Sequence, residues 1–117
     1  MVGSVYPALS ALSAFQNKMD VTANNVANVN TDGFKKSRTN MQEASTGGVT
    51  ASIQQIDTPG IVREIIGNDG IEEVESSNVD LAEELPEMIS TKTAYSANIK
   101  TVQTQDEMLG SLLDIIG

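Results

Sequence analysis

Between Leu81 and Ile116 the chain places apolar residues in strict steps of four and three, at positions 81, 85, 88, 92, 95, 99, 102, 106, 109, 113 and 116. Those positions hold Leu81, Leu85, Met88, Lys92, Tyr95, Ile99, Val102, Asp106, Leu109, Leu113 and Ile116, and nine of the eleven are apolar or Tyr. A mean repeat of about 3.5 residues describes a coiled-coil seam rather than the broader apolar face of a globular helix. A continuous helix over this stretch would be roughly 55 Å long. It cannot bury such a stripe inside a chain of 117 residues, so it needs a second helix beside it, other copies, or both. Lys92 and Asp106 either lie at the edge of the seam, where a long stem such as that of Lys92 can snorkel, or set register against a partner charge. Asp80 and Glu83 have the spacing of a capping box. Pro86 conflicts with a straight start, so the helix is expected either to begin near Leu85 or to kink there.

A second helical period runs from about Pro7 to Asn28. Val5, Leu9, Leu12, Phe15, Met19, Ala23, Val26 and Val29 recur at steps of three and four, and Pro7 suits a first helical turn. Small residues crowd this stripe, which makes it a weak core alone but allows close approach of another helix. The run Asn30-Thr31-Asp32-Gly33 should end the helix.

The segment between the helices has a different period. Val49, Ala51 and Ile53 alternate with Thr50, Ser52 and Gln54, which is the pattern of a strand with one buried face. Thr58-Pro59-Gly60 reads as a turn, Ile61 to Ile66 as a second strand, Asn68-Asp69-Gly70 as a hairpin turn and Ile71 to Val74 as a short third strand. Residues 35–48 carry no clear period and are expected to be extended or mobile. The whole is divided into a helical unit over 1–30, a small β and loop region over 31–77, and a heptad helix over 78–117. The fold class expected is mainly α, with long N- and C-terminal helices pairing antiparallel as a coiled coil around a middle region that contains β-hairpins.

Composition excludes most chemistry. The chain has no Cys and no His, so thiol nucleophiles, disulfides, the usual zinc sites and the common neutral-pH base are missing. No Gly-x-Ser-x-Gly motif is present, so an enzyme is not expected, nor is a cofactor. The acidic run Asp69, Glu72, Glu73, Glu75, Asp80, Glu83, Glu84 and Glu87 lacks the spacing of a calcium loop. It reads as solvated surface together with helix N-terminal acids, and no metal is expected. The net charge of −9 lies in the second half of the chain, which argues against nucleic acid or an anionic membrane as partner; Lys35-Lys36-Ser37-Arg38 is the one basic run. No stretch has the roughly 20 apolar residues of a membrane span. The opening Met1-Val2-Gly3-Ser4-Val5-Tyr6-Pro7 lacks a basic region followed by an apolar core, so no cleaved signal peptide of the ordinary type is expected.

Two blocks carry a resemblance. Asn24-Asn25-Val26-Ala27-Asn28-Val29-Asn30-Thr31-Asp32-Gly33-Phe34 closes the first helix with an Asn-Asn-x-Ala-Asn-x-x-Thr-x-Gly-aromatic run. Ser77-Asn78-Val79-Asp80-Leu81-Ala82-Glu83-Glu84-Leu85 opens the second, followed by Ala94-Tyr95-Ser96-Ala97-Asn98 and Asp106-Glu107-Met108-Leu109. Together they resemble bacterial flagellar axial proteins of the rod and hook family, closest to a small proximal-rod type. Asp32, where that motif often has Pro, and Pro86 are the departures. The resemblance implies a structural subunit of the basal-body rod, located across the periplasm and exported through the flagellar export apparatus. Its implied partners are copies of itself and other axial proteins, joined through the terminal helices. The residues expected at that assembly interface are Leu9, Leu12, Phe15, Met19, Asn24, Asn25, Val26 and Asn28 on the first helix, with Leu85, Met88, Tyr95, Asn98, Ile99, Val102, Leu109 and Leu113 on the second. Asn24, Asn25 and Asn28 either are solvated helix and turn residues or form amide hydrogen bonds between subunits. The competing reading is a soluble coiled-coil adaptor that binds a partner helix.

Overall fold

Helix α1 spans Val2–Ala27 in the computed structural model, which describes residues 2–117, with side chains from Val5 on. The beginning of the expected first unit at residue 1 lies outside the described residues. Because α1 begins at Val2 rather than near Pro7, Pro7 sits inside the helix. The ring leaves one backbone carbonyl without its i+4 donor. Its own carbonyl accepts a hydrogen bond from Ser10 Oγ at 2.8 Å.

The helix ends through its asparagines. Asn28 Nδ2 donates to the Asn24 carbonyl at 2.8 Å, and Asn28 Oδ1 accepts from Thr31 Oγ1 at 3.0 Å. Gly33, at φ 74°, turns the chain out of this cap.

Four strands follow as two separate hairpins rather than one three-stranded structure. β1 (Ser37–Glu43) pairs antiparallel with β2 (Val49–Gln55), and β3 (Val62–Gly67) pairs with β4 (Gly70–Glu75). β1 lies in the stretch that carries no legible period: Arg38, Asn40 and Gln42 alternate with Ser37, Thr39 and Met41, all but Met41 polar, so no hydrophobic alternation marks it. Its strand character comes from pairing with β2. The first hairpin packs against α1. Its turn brings Gly48 against Ser10 at φ 90°, where a Cβ would collide with that side chain. Ser10 Oγ there accepts from the Val49 N–H at 3.0 Å. The second hairpin closes with the two-residue turn Asn68-Asp69 and contacts neither helix nor the first hairpin.

Helix α2 (Leu81–Ile116) is continuous and holds Pro86 in its second turn, so it does not start as late as Leu85. Asp80 caps it by accepting from the Ala82 N–H at 3.0 Å. Glu83 does not complete the capping box but pairs instead with Lys36 at 3.2 Å. α2 runs antiparallel to α1, since Asn25 meets Glu84 and Lys18 meets Glu87. The particle measures 81 × 25 × 19 Å with a radius of gyration of 21.0 Å. A compact chain of this length would give about 13 Å. The architecture is therefore a helical pair with one small hairpin packed on α1 and a second hairpin standing apart from both helices.

The root of the second hairpin is fastened by Glu75. Its carboxylate accepts from Lys35 and from the Gly60 N–H at 2.8 Å, and its backbone carbonyl accepts from Gly33 N–H at 2.8 Å. These donors, Lys35 first, hold the Glu75 carboxyl below the usual carboxylate range. A carboxyl depressed in the folded state contributes stability above its unfolded pKa, and that contribution is lost as pH falls through the folded value. The melting temperature of Glu75→Gln should therefore lie below that of the native chain at pH 7, and the gap should close as pH falls from 7 to below the ordinary value of 4.5. Thermal melts across that range check it; a constant gap would refute the linkage.

Candidate assembly surface

The interior of this chain is made of small and polar side chains. Among the described residues Ala8, Ala11 and Ala14 are the buried apolar ones, and Thr22, Asn25, Ser77, Glu84 and Thr91 are buried with them. Threonine tolerates this because its hydroxyl bonds back along its own helix. Thr22 Oγ1 donates to the Lys18 carbonyl at 2.9 Å and Thr91 Oγ1 to the Glu87 carbonyl at 2.7 Å. Asn98 does the same to the Ala94 carbonyl at 2.9 Å. With their polar groups satisfied locally, these residues let the helices approach closely.

The consequence is a rotation of both expected stripes. On α1 the buried line falls on Ala8, Ala11, Ala14, Thr22 and Asn25, because this helix must face both α2 and the first hairpin. Leu12, Phe15, Met19 and Val26 flank that line half-buried, while Leu9 is exposed. On α2 the side facing α1 keeps Met88, Tyr95 and Val102 of the expected seam. Its other row is Glu84, Thr91, Asn98 and Gln105, one residue earlier than Leu85, Lys92, Ile99 and Asp106. Leu85, Ile89, Ile99, Leu109 and Leu113 are thereby left exposed, and Lys92 and Asp106 are solvated. From Asp106 to the end every side chain is exposed, including Met108, Leu112, Ile115 and Ile116.

Asn25 does not point outward as an intersubunit contact. It is 1% exposed. Its Nδ2 donates to the Ser37 carbonyl at 2.8 Å, and its Oδ1 accepts from the Ser37 N–H at 3.0 Å. The side-chain amide thus mimics a neighbouring strand at the first residue of β1. Its second N–H reaches Glu84 Oε2 at 3.3 Å, so one side chain joins α1, β1 and α2. Asn24 is exposed, and Asn28 is consumed by the helix end.

A second amide of this kind was not singled out in the sequence. Asn78 Oδ1 accepts from the Lys36 N–H at 2.7 Å, and its Nδ2 donates to the carbonyls of Ile56 and Thr58 at 2.8 and 2.9 Å. It fastens the entry to the first hairpin and its exit to the start of α2. Its signal in the sequence is only its place just before the Asp80 cap. Asp32 has its own partner: it accepts two hydrogen bonds from Arg63, each at 2.9 Å, and so ties the turn after α1 to β3.

Around Asn25 lies a crevice of about 440 Å³ lined by Lys18, Lys36, Arg38, Glu83, Glu84 and Glu87, among others. Opposite charges there largely pair with one another, as in Lys18–Glu87 and Lys36–Glu83. Among the described residues no group of Asp and Glu is arranged to hold a metal ion, and no helix is long and apolar enough to cross a membrane.

Residues 6–35 match the family described as flagella basal body rod protein, and residues 72–115 match the C-terminal family of the flagellar basal body rod proteins FlgE, FlgF and FlgG. The two matches fall on α1 with its cap and on β4 with α2. The flagellar hook protein FlgE of Borreliella burgdorferi is 42% identical over 60 residues, which is 51% of this chain and 14% of that protein. The flagellar basal-body rod protein FlgG of Bacillus subtilis is 51% identical over 43 residues, 37% of this chain and 16% of that protein. FlgG of Buchnera aphidicola from Acyrthosiphon pisum is 54% identical over 39 residues, 33% of this chain and 15% of that protein. The chain thus aligns to about one-seventh of the length of these relatives.

If Asn25 joins three elements, its loss should outweigh that of its neighbour. Asn25→Ala leaves the Ser37 backbone groups and Glu84 without their buried partner, and should cost about 2–4 kcal/mol, since each orphaned polar group costs about 1–3 kcal/mol. Asn24→Ala, at an exposed site, should change stability by under about 0.5 kcal/mol. Urea denaturation of the two variants measures the difference, and equal effects would refute the role given to Asn25.

Proposed function

We infer a structural role from kinship: the chain belongs to the family of flagellar basal-body rod and hook proteins. We propose that it is a subunit of the basal-body rod, of the small proximal type, which self-assembles through its terminal helices into the axial shaft that serves motility. The observation that carries this reading is the row of large apolar side chains that the chain does not bury itself. Leu113 is 68% exposed and Ile116 82% exposed. Exposed apolar surface on this scale marks a surface that meets protein.

The physics of a filament suits such a subunit. A head-to-tail contact that does not close by rotation generates an open helical polymer. Each copy adds apolar burial at about 25 cal/mol per Å², so a subunit with an alanine and threonine interior gains its remaining stability in the assembly. In this reading the exposed seam of α2 forms coiled-coil contacts with helices of neighbouring copies and of other axial proteins. The subunit acts by packing, without catalysis or cofactor. Export through the flagellar apparatus to the periplasm-spanning rod completes the proposal.

The test uses the overhanging end of α2. Leu113→Asp should leave the helix content of the dilute chain nearly unchanged, because that side chain is 68% exposed. It should weaken self-association at least about tenfold, since an unpaired carboxylate in an apolar contact costs several kcal/mol. Sedimentation over a concentration series measures association, and swimming of cells carrying the variant measures function. A closed dimer at all concentrations, or normal swimming with Leu113→Asp, would overturn the proposal.

A further inference from the structure

The second hairpin is an unfinished piece of structure. Two strands alone are marginal in water, and this pair packs on no other element of the chain. Its register sets Glu64 directly opposite Glu73, and Ile66 opposite Ile71, on one face together with Val62. Ile66 is 92% exposed and Ile71 72% exposed. Like charges placed directly across a strand pair are destabilising. Among the described residues no cation pairs with either carboxylate; Arg63, on the opposite face, is taken by Asp32. The face therefore presents an apolar end, an uncompensated pair of carboxylates, and beyond them Val62 opposite Glu75, whose carboxylate is held by Lys35.

The complement stands on α2. Leu85, Ile89 and Ile99 are exposed on the stripe that the helical pair does not bury, and Lys92 lies among them. Among the described residues Arg38, Lys92 and Lys100 form no ion pair, and of these Lys92 lies on this stripe; Lys18, Lys35, Lys36 and Arg63 each have a carboxylate partner. Beside this stripe Phe15, Met19, Thr91 and Tyr95 line a small notch of about 110 Å³ between the helices, with Lys92 at its rim. Lys92 with Ile89 beside it on α2 matches the Glu64 and Glu73 pair with Ile66 and Ile71 beside it on the hairpin. The hairpin reaches neither helix of its own chain, so the match is intermolecular.

We propose that the Val62, Glu64, Ile66, Ile71 and Glu73 face of one copy docks on the α2 stripe around Lys92 of a second copy. Lys92 settles between Glu64 and Glu73, and Ile66 and Ile71 cover the notch and Ile89. This contact is lateral and separate from the overhanging end of α2. It rests on the reading of the chain as a self-assembling subunit and names one of its contacts.

The chain has no cysteine, so engineered thiols report the contact without background. Chains carrying Ile71→Cys are mixed with chains carrying Ile89→Cys at concentrations where the native chain associates, then oxidised. A mixed disulfide between the two is expected, at least about fivefold above the yield from Ile71→Cys mixed with Thr50→Cys, an exposed site on the first hairpin. Adding Glu64→Lys and Glu73→Lys to the first chain should abolish the excess, since opposed like charges across an interface are strongly unfavourable. Adding Lys92→Glu to the second chain should restore it. Circular dichroism of the Lys variant guards against misfolding, because the hairpin touches no helix and helix content should not move. Association that persists unchanged in the Glu64→Lys, Glu73→Lys chain, or a cross-link yield equal to the control, overturns this contact alone. Cross-linking of the hairpin only to a different axial protein also overturns it. A native chain that does not associate at any concentration overturns the self-assembly reading together with it.

Discussion

The side chain of Asn25 is the point on which the arrangement of the chain depends. An amide offers donors and an acceptor in one plane, so it can stand in for the backbone of a missing strand. At Asn25 it does so against Ser37, and its remaining N–H reaches Glu84. Aspartate would lack the donors, and serine would reach only one of the two Ser37 groups. The bond closes a short loop from α1 to β1 and a much longer one to α2. Closing such loops costs chain entropy, which only a well-satisfied buried contact can offset. Asn78 repeats the device one layer away, joining the entry of the first hairpin, its exit and the start of α2.

From this fixed junction the two helices run side by side with little apolar volume between them. Alanine and threonine let backbones approach, and back-bonded hydroxyls carry no unsatisfied polarity into the contact. The larger apolar groups are displaced to the flanks and to the overhang of α2. A monomer built this way trades internal burial for an adhesive exterior. That is a poor bargain for a solitary globule and a good one for a subunit whose neighbours supply the missing contacts. Its elongated form, 81 Å in the longest dimension, lays that surface out along a long edge.

The two prolines and the departure at Asp32 fit the same economy. Pro7 and Pro86 each sit in the second turn of a helix, near the point where the first hairpin docks or where α2 leaves its cap. Neither helix stops there. Asp32 stands where the motif often has Pro, and both of its oxygens accept from Arg63 Nη2, which ties the turn after α1 to β3.

The sequence by itself determined the elements whose pattern is local. The existence and approximate extent of both helices, the Asp80 cap, β2, and the hairpin around Asn68-Asp69 follow from period and turn chemistry, which need no knowledge of partners. β1 was not legible because its polar residues become a strand only when β2 lies beside them. The heptad steps from Leu81 to Ile116 were real, but which side of α2 faces α1 was decided by tertiary structure. A helix offers several adjacent stripes, and periodicity ranks them by hydrophobicity alone. Here the choice fell one residue away, on Glu84, Thr91 and Asn98, because α1 must also carry the first hairpin and because Asn25 fixes Glu84 against it. Sequence pattern could mark Asn25 as special, but only the fold could turn it inward and leave Leu85, Ile99 and Leu113 outside.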